Sequence, residues 1–256
     1  MFQFQLPGLR KLTSMPHFSR LCGLAALPVA LFWMWPAADA DCDEASLGVS
    51  RTIQLTRETP PVETLLEEGE VILTFDDGPH MFRTRPVLKA LNKECTRATF
   101  FLLGKTASAH PGIVREILDS NHTIGSHSQN HANLGLMGVE DAMANVMRGK
   151  AAVEAAGEIP AILFRLPYIS TTPELSAALR KAGFIHVTAT VDGADWTDNP
   201  AEESTAMIMS KLEANGRRGI ILLHDPVSSS DKRTRSLLEQ LREQGYRVVA
   251  IEGPDG

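Results

Sequence analysis

From Val71 onward the sequence alternates short runs of β-forming residues with longer amphipathic stretches, which limits the chain to a small set of folds. Seven runs are typical of strands: Val71 to Phe75, Ala98 to Leu103, His122 to Gly125, Ala161 to Arg165, His186 to Val191, Gly219 to Leu223 and Arg247 to Ile251. Six stretches are typical of helices: Thr84 to Lys93, Pro111 to Ser120, Val139 to Ala156, Pro173 to Ala182, Ala201 to Asn215 and Thr234 to Gln244. Strands separated by helices or long loops indicate an α/β fold with a mostly parallel sheet or a barrel.

Polar residues follow five of the seven strands. They are Asp76 and Asp77, then His127 and His131, Arg165 and Tyr168, Asp192 and Asp195, and finally His224 and Asp225. A single polar residue after a strand is unremarkable, because turns favour Asp and Asn. In parallel α/β folds, however, one face gathers the carboxyl ends of all the strands. We therefore expect the five groups to converge on one site.

Two histidines and a carboxylate in this set suit a divalent metal. His127 and His131 are four residues apart and can face the same way on a helical turn. Asp77, from a neighbouring strand end, would complete three ligands and leave positions open. The spacing alone would favour two surface histidines in a polar loop; the pair of aspartates at the adjacent strand end favours the metal.

The adjacent carboxylates Asp76 and Asp77 should have different roles. Two neighbouring carboxylates repel each other, so a buried pair needs positive charge nearby. A metal on Asp77 and Arg165 near Asp76 would supply it, leaving Asp76 free to take a proton from water. Taken alone, an Asp-Asp-Gly-Pro stretch is more often a turn than a site.

Five motifs, in order, resemble those of the polysaccharide deacetylases, the NodB-homology family of carbohydrate esterases. They are Thr74-Phe75-Asp76-Asp77-Gly78-Pro79, His127-Ser128-x-x-His131, Arg165-x-Pro167-Tyr168, Asp192-x-x-Asp195-Trp196 and Leu222-x-His224. The resemblance covers about residues 68 to 252 and implies a distorted (β/α) barrel, commonly of seven strands. It also implies a hydrolase that removes acetyl groups from a polysaccharide, most often the N-acetyl groups of N-acetylglucosamine units.

The same resemblance implies a role for each motif residue. Asp76 would be the general base steadied by Arg165, and His224 the general acid oriented by Asp192. A divalent metal would be held by Asp77, His127 and His131; zinc is the expected ion, with cobalt or nickel as alternatives. The remaining positions would contact substrate: the Tyr168 N–H at the oxyanion, and Trp196 and Leu222 around the acetyl methyl. The chain departs from the common family pattern at Ile169, where a glycine often follows the tyrosine.

The first forty residues predict export. Three basic residues precede an apolar run from Leu21 to Trp35 that ends near Ala38-Asp39-Ala40, the layout of a secretory signal peptide. The run is about 15 residues, short of the roughly 20 that span a bilayer, so no stable membrane span is expected. We interpret residues 1–40 as a cleaved signal, with an uncleaved anchor as the alternative, 41–65 as a tether or lead-in, and 66–256 as the catalytic domain. The protein would then be periplasmic or extracellular.

The net charge of the chain limits the classes of partner that it could bind. Without residues 1–40 the chain keeps 22 Lys+Arg and 30 Asp+Glu, a formal charge of −8. An acidic domain without a basic stripe is a poor candidate for binding nucleic acid or anionic lipid, and a neutral or cationic glycan suits it better.

Cys42 and Cys95 remain after residues 1–40 are removed, and an oxidising compartment would permit them to pair. Their spacing leaves the pairing open, as the sequence leaves the oligomeric state open.

Three other functions remain compatible with the sequence. One is an O-acetyl esterase acting on acetylated xylan with the same metal centre. Another is a catalytically silent carbohydrate-binding relative, which the complete set of base, ligands and acid disfavours. A metal-dependent phosphoesterase would be expected to place more basic residues than Arg165 near the ligands.

Overall fold

The computed structural model describes Cys42, residues 45–197 and residues 199–254. The predicted signal peptide lies outside these residues. Among the helices described, none has both the length and the apolar character needed to cross a membrane.

The sheet is built from parallel strands that follow one another in chain order. Its nine described strands are β1 (Arg51–Gln54), β2 (Glu70–Asp76), β3 (Thr99–Leu102), β4 (Thr123–Ser126), β5 (Leu163–Phe164), β6 (Ile185–His186), β7 (Val191–Asp192), β8 (Gly219–His224) and β9 (Arg247–Glu252). Neighbours run from β2 through β3, β4 and β5 to β6, and β7 pairs with β8, which returns to β2. The described strands therefore follow the cyclic order of a barrel, with no ladder between β6 and β7.

The predicted α/β class with a parallel sheet is confirmed, but the expected count of seven strands is too low. The run predicted as one strand from His186 to Val191 is two short strands, β6 and β7, separated by four residues without a ladder. A further strand, β1, pairs with β9 through four residue partners. Its single buried side chain, Ile53, gives too little apolar pattern to predict a strand.

Helices cover the gaps between strands, as predicted, with one addition. They are α1 (Thr84–Lys93), α2 (Gly104–Ala109), α3 (Pro111–Asp119), α4 (Val139–Gly157), α5 (Pro173–Lys181), α6 (Ala201–Ala214) and α7 (Ser230–Glu243). The sequence did not predict α2, which has six residues and little apolar periodicity. Gly183, Gly216 and Gly245 follow helices with φ of 86°, 69° and 71°, the left-handed conformation that ends a helix.

Strand β2 shows how the fold directs one catalytic candidate inward. All seven of its residues are buried, as expected when both faces of a parallel strand are covered. Leu73 and Phe75 belong to a large apolar cluster that includes residues of α1 and α7, whereas Ile72 packs on the opposite face with Phe101 of β3. Because side chains alternate along a strand, Asp76 shares the inner face with Ile72.

Within residues 41–65, which the sequence predicts as a tether or lead-in, the described residues include side chains that pack on the sheet. Leu55 and Val62 are buried, at 1% and 4% exposure, and they pack in the same apolar cluster as Ile72. Cys42 forms a disulfide with Cys95, with a Cα–Cα distance of 5.7 Å. The pairing that the sequence left open is thus present in the structure, and this segment is attached to the sheet and to the loop after α1.

Breaking the Cys42–Cys95 disulfide is expected to lower the free energy of unfolding by about 2–4 kcal/mol. The bond spans 53 residues of sequence, so it restricts the unfolded chain substantially. Thermal unfolding of Cys42→Ser measures the effect, and reductant should reproduce it in the unchanged protein without affecting the variant further. An unchanged melting temperature in Cys42→Ser would contradict a stabilising role.

Candidate active site

The two adjacent aspartates point to different surroundings because the chain turns sharply between them. Asp76 is the last residue of β2 and is 3% exposed. Asp77 has φ of 74°, in the left-handed region, and its N–H donates to the Phe101 carbonyl at 3.2 Å. The turn thereby leaves Asp76 in the interior and brings Asp77 to the rim of the site.

Three side chains from two strand ends form a candidate metal site. The ligand atoms of Asp77, His127 and His131 all lie within 4.8 Å of one another. Asp77 Oδ1 is 3.6 Å from His127 Nε2 and 3.5 Å from His131 Nε2. Tetrahedral ligands about 2.1 Å from a zinc ion would be separated by roughly 3.4 Å. Asp77 Oδ1 is also buried without a hydrogen-bond partner, so the donor set suits a divalent ion.

The surroundings of His127 prepare its ring to bind a cation. Its Nδ1 donates to the Arg165 carbonyl at 2.9 Å, which leaves Nε2 as the free donor atom of the neutral ring. Burial lowers the pKa of His127, although the charges of Asp76 and Asp77 oppose that change. The ring is therefore held neutral, the form that a metal requires.

Arg165 is fully buried and connects the base candidate to the strands around it. Its Nη1 donates to Asp76 Oδ1 at 2.9 Å and to Thr74 Oγ1 at 2.7 Å. Its Nε and Nη2 donate to the carbonyls of Val187 and Thr188, which lie between β6 and β7. Burial lowers the pKa of Arg165, while Asp76 opposes that change. The guanidinium thus fixes one oxygen of Asp76, whose other oxygen, Oδ2, lies 3.7 Å from His127 Nε2.

The residue that holds His224 is Asp195, and the prediction that Asp192 does so is wrong. His224 Nδ1 donates to Asp195 Oδ1 at 2.8 Å, and the His224 N–H donates to Asp195 Oδ2 at 2.7 Å. Asp192 ends β7, and its Oδ1 accepts a hydrogen bond from the N–H of Ala194 at 2.7 Å. Asp192 therefore stabilises the turn after β7, and that turn brings Asp195 within hydrogen-bond distance of His224.

Asp195 decides the charge of His224. Burial of the imidazole would lower its pKa, but the hydrogen bond and charge of Asp195, with the charges of Asp76 and Asp77, raise the pKa to about 9. His224 is consequently protonated at neutral pH. Since Nδ1 is used by Asp195, Nε2 is the atom that can donate a proton.

The predicted substrate-contacting residues differ in exposure. Tyr168 and Trp196 are 64% and 61% exposed, whereas Leu222 on β8 is 8% exposed. The Tyr168 ring meets His131 edge-on, with ring centroids 4.5 Å apart, so it adjoins the ligand set. Trp196 follows Asp195 directly and is not part of the core.

The departure at Ile169 has a backbone cost. Tyr168 and Ile169 have φ of 58° and 51°, two consecutive residues in the left-handed region. A side-chain-bearing residue there costs about 1–2 kcal/mol relative to the right-handed conformation, and glycine avoids that cost. Ile169 thus takes on strain in the loop that carries Tyr168.

Asp225, for which the sequence predicts no role, lies directly behind the aspartate turn. It is fully buried, and Thr84 Oγ1 donates to its Oδ2. A Cβ atom on Gly78 would lie 2.3 Å from Asp225 Oδ1, so the glycine is required for this close approach. Burial, together with the charge of Asp77, raises the pKa of Asp225 to about 7.

The comparisons with known proteins place the chain in one family. The polysaccharide deacetylase family model matches residues 65–187. A peptidoglycan-N-acetylglucosamine deacetylase of Bacillus cereus is 32% identical over 190 residues, which is 72% of this chain and 87% of that protein. A deacetylase of the same description, PgdA of Listeria monocytogenes, is 29% identical over 82% of this chain, which spans only 44% of the Listeria protein.

A solved structure shows the same fold. The family 4 carbohydrate esterase of Streptomyces lividans, determined in complex with acetate, matches with a TM-score of 0.64 and 30% identity, covering 72% of this chain and 91% of that one. The parallel α/β architecture of this chain therefore matches that of the carbohydrate esterases. The chain is a member of the polysaccharide deacetylase family of hydrolases.

Proposed function

We propose that this protein is a metal-dependent deacetylase of a glycan that contains N-acetylglucosamine, with zinc as its ion. The observation that carries the proposal is that metal ligands, a base candidate and an acid candidate lie together at the carboxyl ends of the parallel strands. The donor set of Asp77, His127 and His131 adjoins a base candidate, Asp76. An acid candidate, His224, is the register partner of Asp76 on the neighbouring strand β8. Amide hydrolysis needs a polarised carbonyl, an activated water and a protonated leaving group.

Each side chain has a defined task in this reaction. Asp77, His127 and His131 would hold a divalent ion, which would supply Lewis-acid polarisation of the acetyl carbonyl and of water. Asp76 takes a proton from the attacking water with Oδ2, since Arg165 holds Oδ1. The Tyr168 N–H donates to the developing oxyanion. As the C–N bond breaks, His224 Nε2 gives its proton to the departing nitrogen, and the products are acetate and the free amine.

The acid favours an amide over an ester substrate. An amine is a poor leaving group and needs a proton, whereas an alkoxide leaving from an acetate ester needs less help. A His224 pKa raised to about 9 keeps that proton available at neutral pH. The Bacillus cereus and Listeria monocytogenes relatives, named as deacetylases of peptidoglycan N-acetylglucosamine, support the same choice.

Acetate release identifies the substrate. Peptidoglycan, chitin oligomers, poly-N-acetylglucosamine and acetylated xylan are compared at equal acetyl content, with zinc present. Release from one or more of the first three at a rate well above that from xylan supports the N-deacetylase. Release confined to xylan would indicate the O-acetyl esterase, and no release from any of the four by zinc-loaded protein would support the silent binding protein.

Chelation is expected to abolish acetate release, and zinc or cobalt to restore it. Asp77, His127 and His131 would provide three ligands, and the part of the chain that the structure describes contains no second group of this kind. Metal content is measured beside activity at each step. His131→Ala, which removes one ligand, serves as a control that should recover little activity. Full activity in protein shown to contain no metal would rule out the metal mechanism.

We also propose that the protein acts outside the cytoplasm. The basic, apolar and Ala-x-Ala order of residues 1–40 supports export, and the Cys42–Cys95 disulfide suits an oxidising compartment. Protein recovered outside the cytoplasm should begin near Asp41 and contain no free thiol. An intact Met1 terminus confined to the cytoplasm would contradict export.

A further inference from the structure

The loop that carries both histidine ligands has an unusual backbone. Ser128 and His131 have φ of 69° and 59°, so two residues of a five-residue segment are left-handed. Non-glycine residues in this region persist where the surrounding structure holds them. The contacts that hold this loop therefore bear on the spacing of His127 and His131.

A side chain from outside the loop contacts two of the three residues between the ligands. Asn145 lies on α4 and is 3% exposed. Its Oδ1 accepts from the N–H of Gln129 at 2.9 Å, and its Nδ2 donates to Asn130 Oδ1 at 2.8 Å. A buried carboxamide is stabilised when both of its ends are bonded in this way.

The approach of α4 makes these contacts possible. Gly149, four residues after Asn145 and on the same helix face, lies so close to the loop that a Cβ would be 2.3 Å from the Ser128 carbonyl carbon. The N–H groups of Gly104 and Lys105, at the start of α2, donate to the carbonyls of Ser128 and Gln129, each at 2.9 Å. The loop is thus held by contacts with both α2 and α4.

We propose that Asn145 is a positioning residue for the metal centre, which fixes the separation of His127 and His131 by bonding Gln129 and Asn130 between them. The inference rests on the metal site of the proposed function. Asn145 itself contributes no ligand atom to that site. It acts through the loop, so its loss should weaken metal binding while the three ligands remain in place.

Zinc affinity of the purified protein, measured by competition with a chelating dye, tests the proposal. Asn145→Leu, which removes both hydrogen bonds, is expected to weaken zinc binding by about 10- to 100-fold. Asn145→Asp keeps an acceptor for the Gln129 N–H and should recover part of that loss. The exposed Asn130 offers a variant with little risk to folding: Asn130→Ala removes one of the two bonds and should weaken binding by a few-fold.

A matched control separates positioning from general destabilisation. Val153→Ala removes buried volume from the same helix, at a side chain that packs in the large apolar cluster with Leu73 and Phe75. It should lower the melting temperature and leave zinc affinity unchanged. Equal losses of affinity in Val153→Ala and Asn145→Leu would overturn the proposal. Wild-type affinity in Asn145→Leu, or in Asn130→Ala if the first variant does not fold, would also overturn it.

The proposed function fails in a different way. If the unchanged protein binds no zinc, or if His131→Ala binds it as tightly as the unchanged protein does, the metal site itself is wrong. If the unchanged protein binds zinc and His131→Ala does not, the site stands and the Asn145 variants report on positioning alone.

Discussion

Replacing Asp76 by asparagine is expected to slow deacetylation by about 10²- to 10⁴-fold while the metal stays bound. The substitution keeps an oxygen that can accept from Arg165 Nη1 and leaves the three ligands untouched, but it removes the carboxylate that takes the proton. Turnover and metal content of the same preparation are measured together, and thermal unfolding checks that the buried guanidinium remains accommodated.

Asp77→Asn provides the matched comparison, because the two residues are neighbours with different contacts. It should weaken metal affinity, so that part of its defect is recovered at high metal concentration. Of the two aspartates, Asp76 forms the ion pair with Arg165. Asp77 Oδ1 lies near the Nε2 atoms of both His127 and His131. A metal-free Asp76→Asn beside a metal-loaded Asp77→Asn would reverse the assignment of base and ligand.

Asp195→Asn is expected to reduce turnover of an acetamide substrate by about 10²-fold or more at pH 8 and to move the alkaline limb of the pH profile to lower pH. The acid must be protonated, so activity is present below the pKa of His224 and is lost as pH rises through it. Burial lowers the pKa of His224. The hydrogen bond and the negative charge of Asp195 outweigh burial and raise that pKa to about 9. Removing the charge leaves burial less opposed, and losing such a partner typically shifts a pKa by about 1–3 units.

Asp192→Asn is the control for this prediction. Asp192 bonds the turn at Ala194, so its loss should leave the alkaline limb in place. An activated phenyl acetate, whose leaving group needs little protonation, should show a much smaller defect with Asp195→Asn than the acetamide does. If Asp192→Asn moves the alkaline limb and Asp195→Asn does not, the hydrogen bond in the structure is not the one that tunes the acid.

The site could be predicted from the sequence because the ends of apolar strands are recognisable in it. The apolar run of β2 ends at Asp76, and parallel strands bring their carboxyl ends together. The sequence does not distinguish the roles of Asp192 and Asp195, because the position of a strand end does not determine which of two nearby carboxylates turns inward. That choice depends on the turn that Asp192 stabilises and on the depth at which Asp195 is buried.

Contacts between segments that are distant in the sequence could not be predicted for a related reason. Asn145 lies in the middle of an amphipathic helix, where a polar residue usually indicates the solvent face. Only the fold shows that this part of α4 lies against the histidine loop. The same applies to β1, whose partner β9 is nearly 200 residues away in the sequence.

The four acceptors of the Arg165 side chain bear on how such a protein could lose its chemistry during evolution. The guanidinium joins β2 to the break between β6 and β7, so any replacement disturbs the base and the seam of the barrel in one mutational step. Asp76→Asn, in contrast, changes the reaction and keeps an acceptor for that cation. A descendant that binds glycans without hydrolysing them could therefore arise with its fold intact by substitution of Asp76. Substitution of Arg165 would disturb the fold as well.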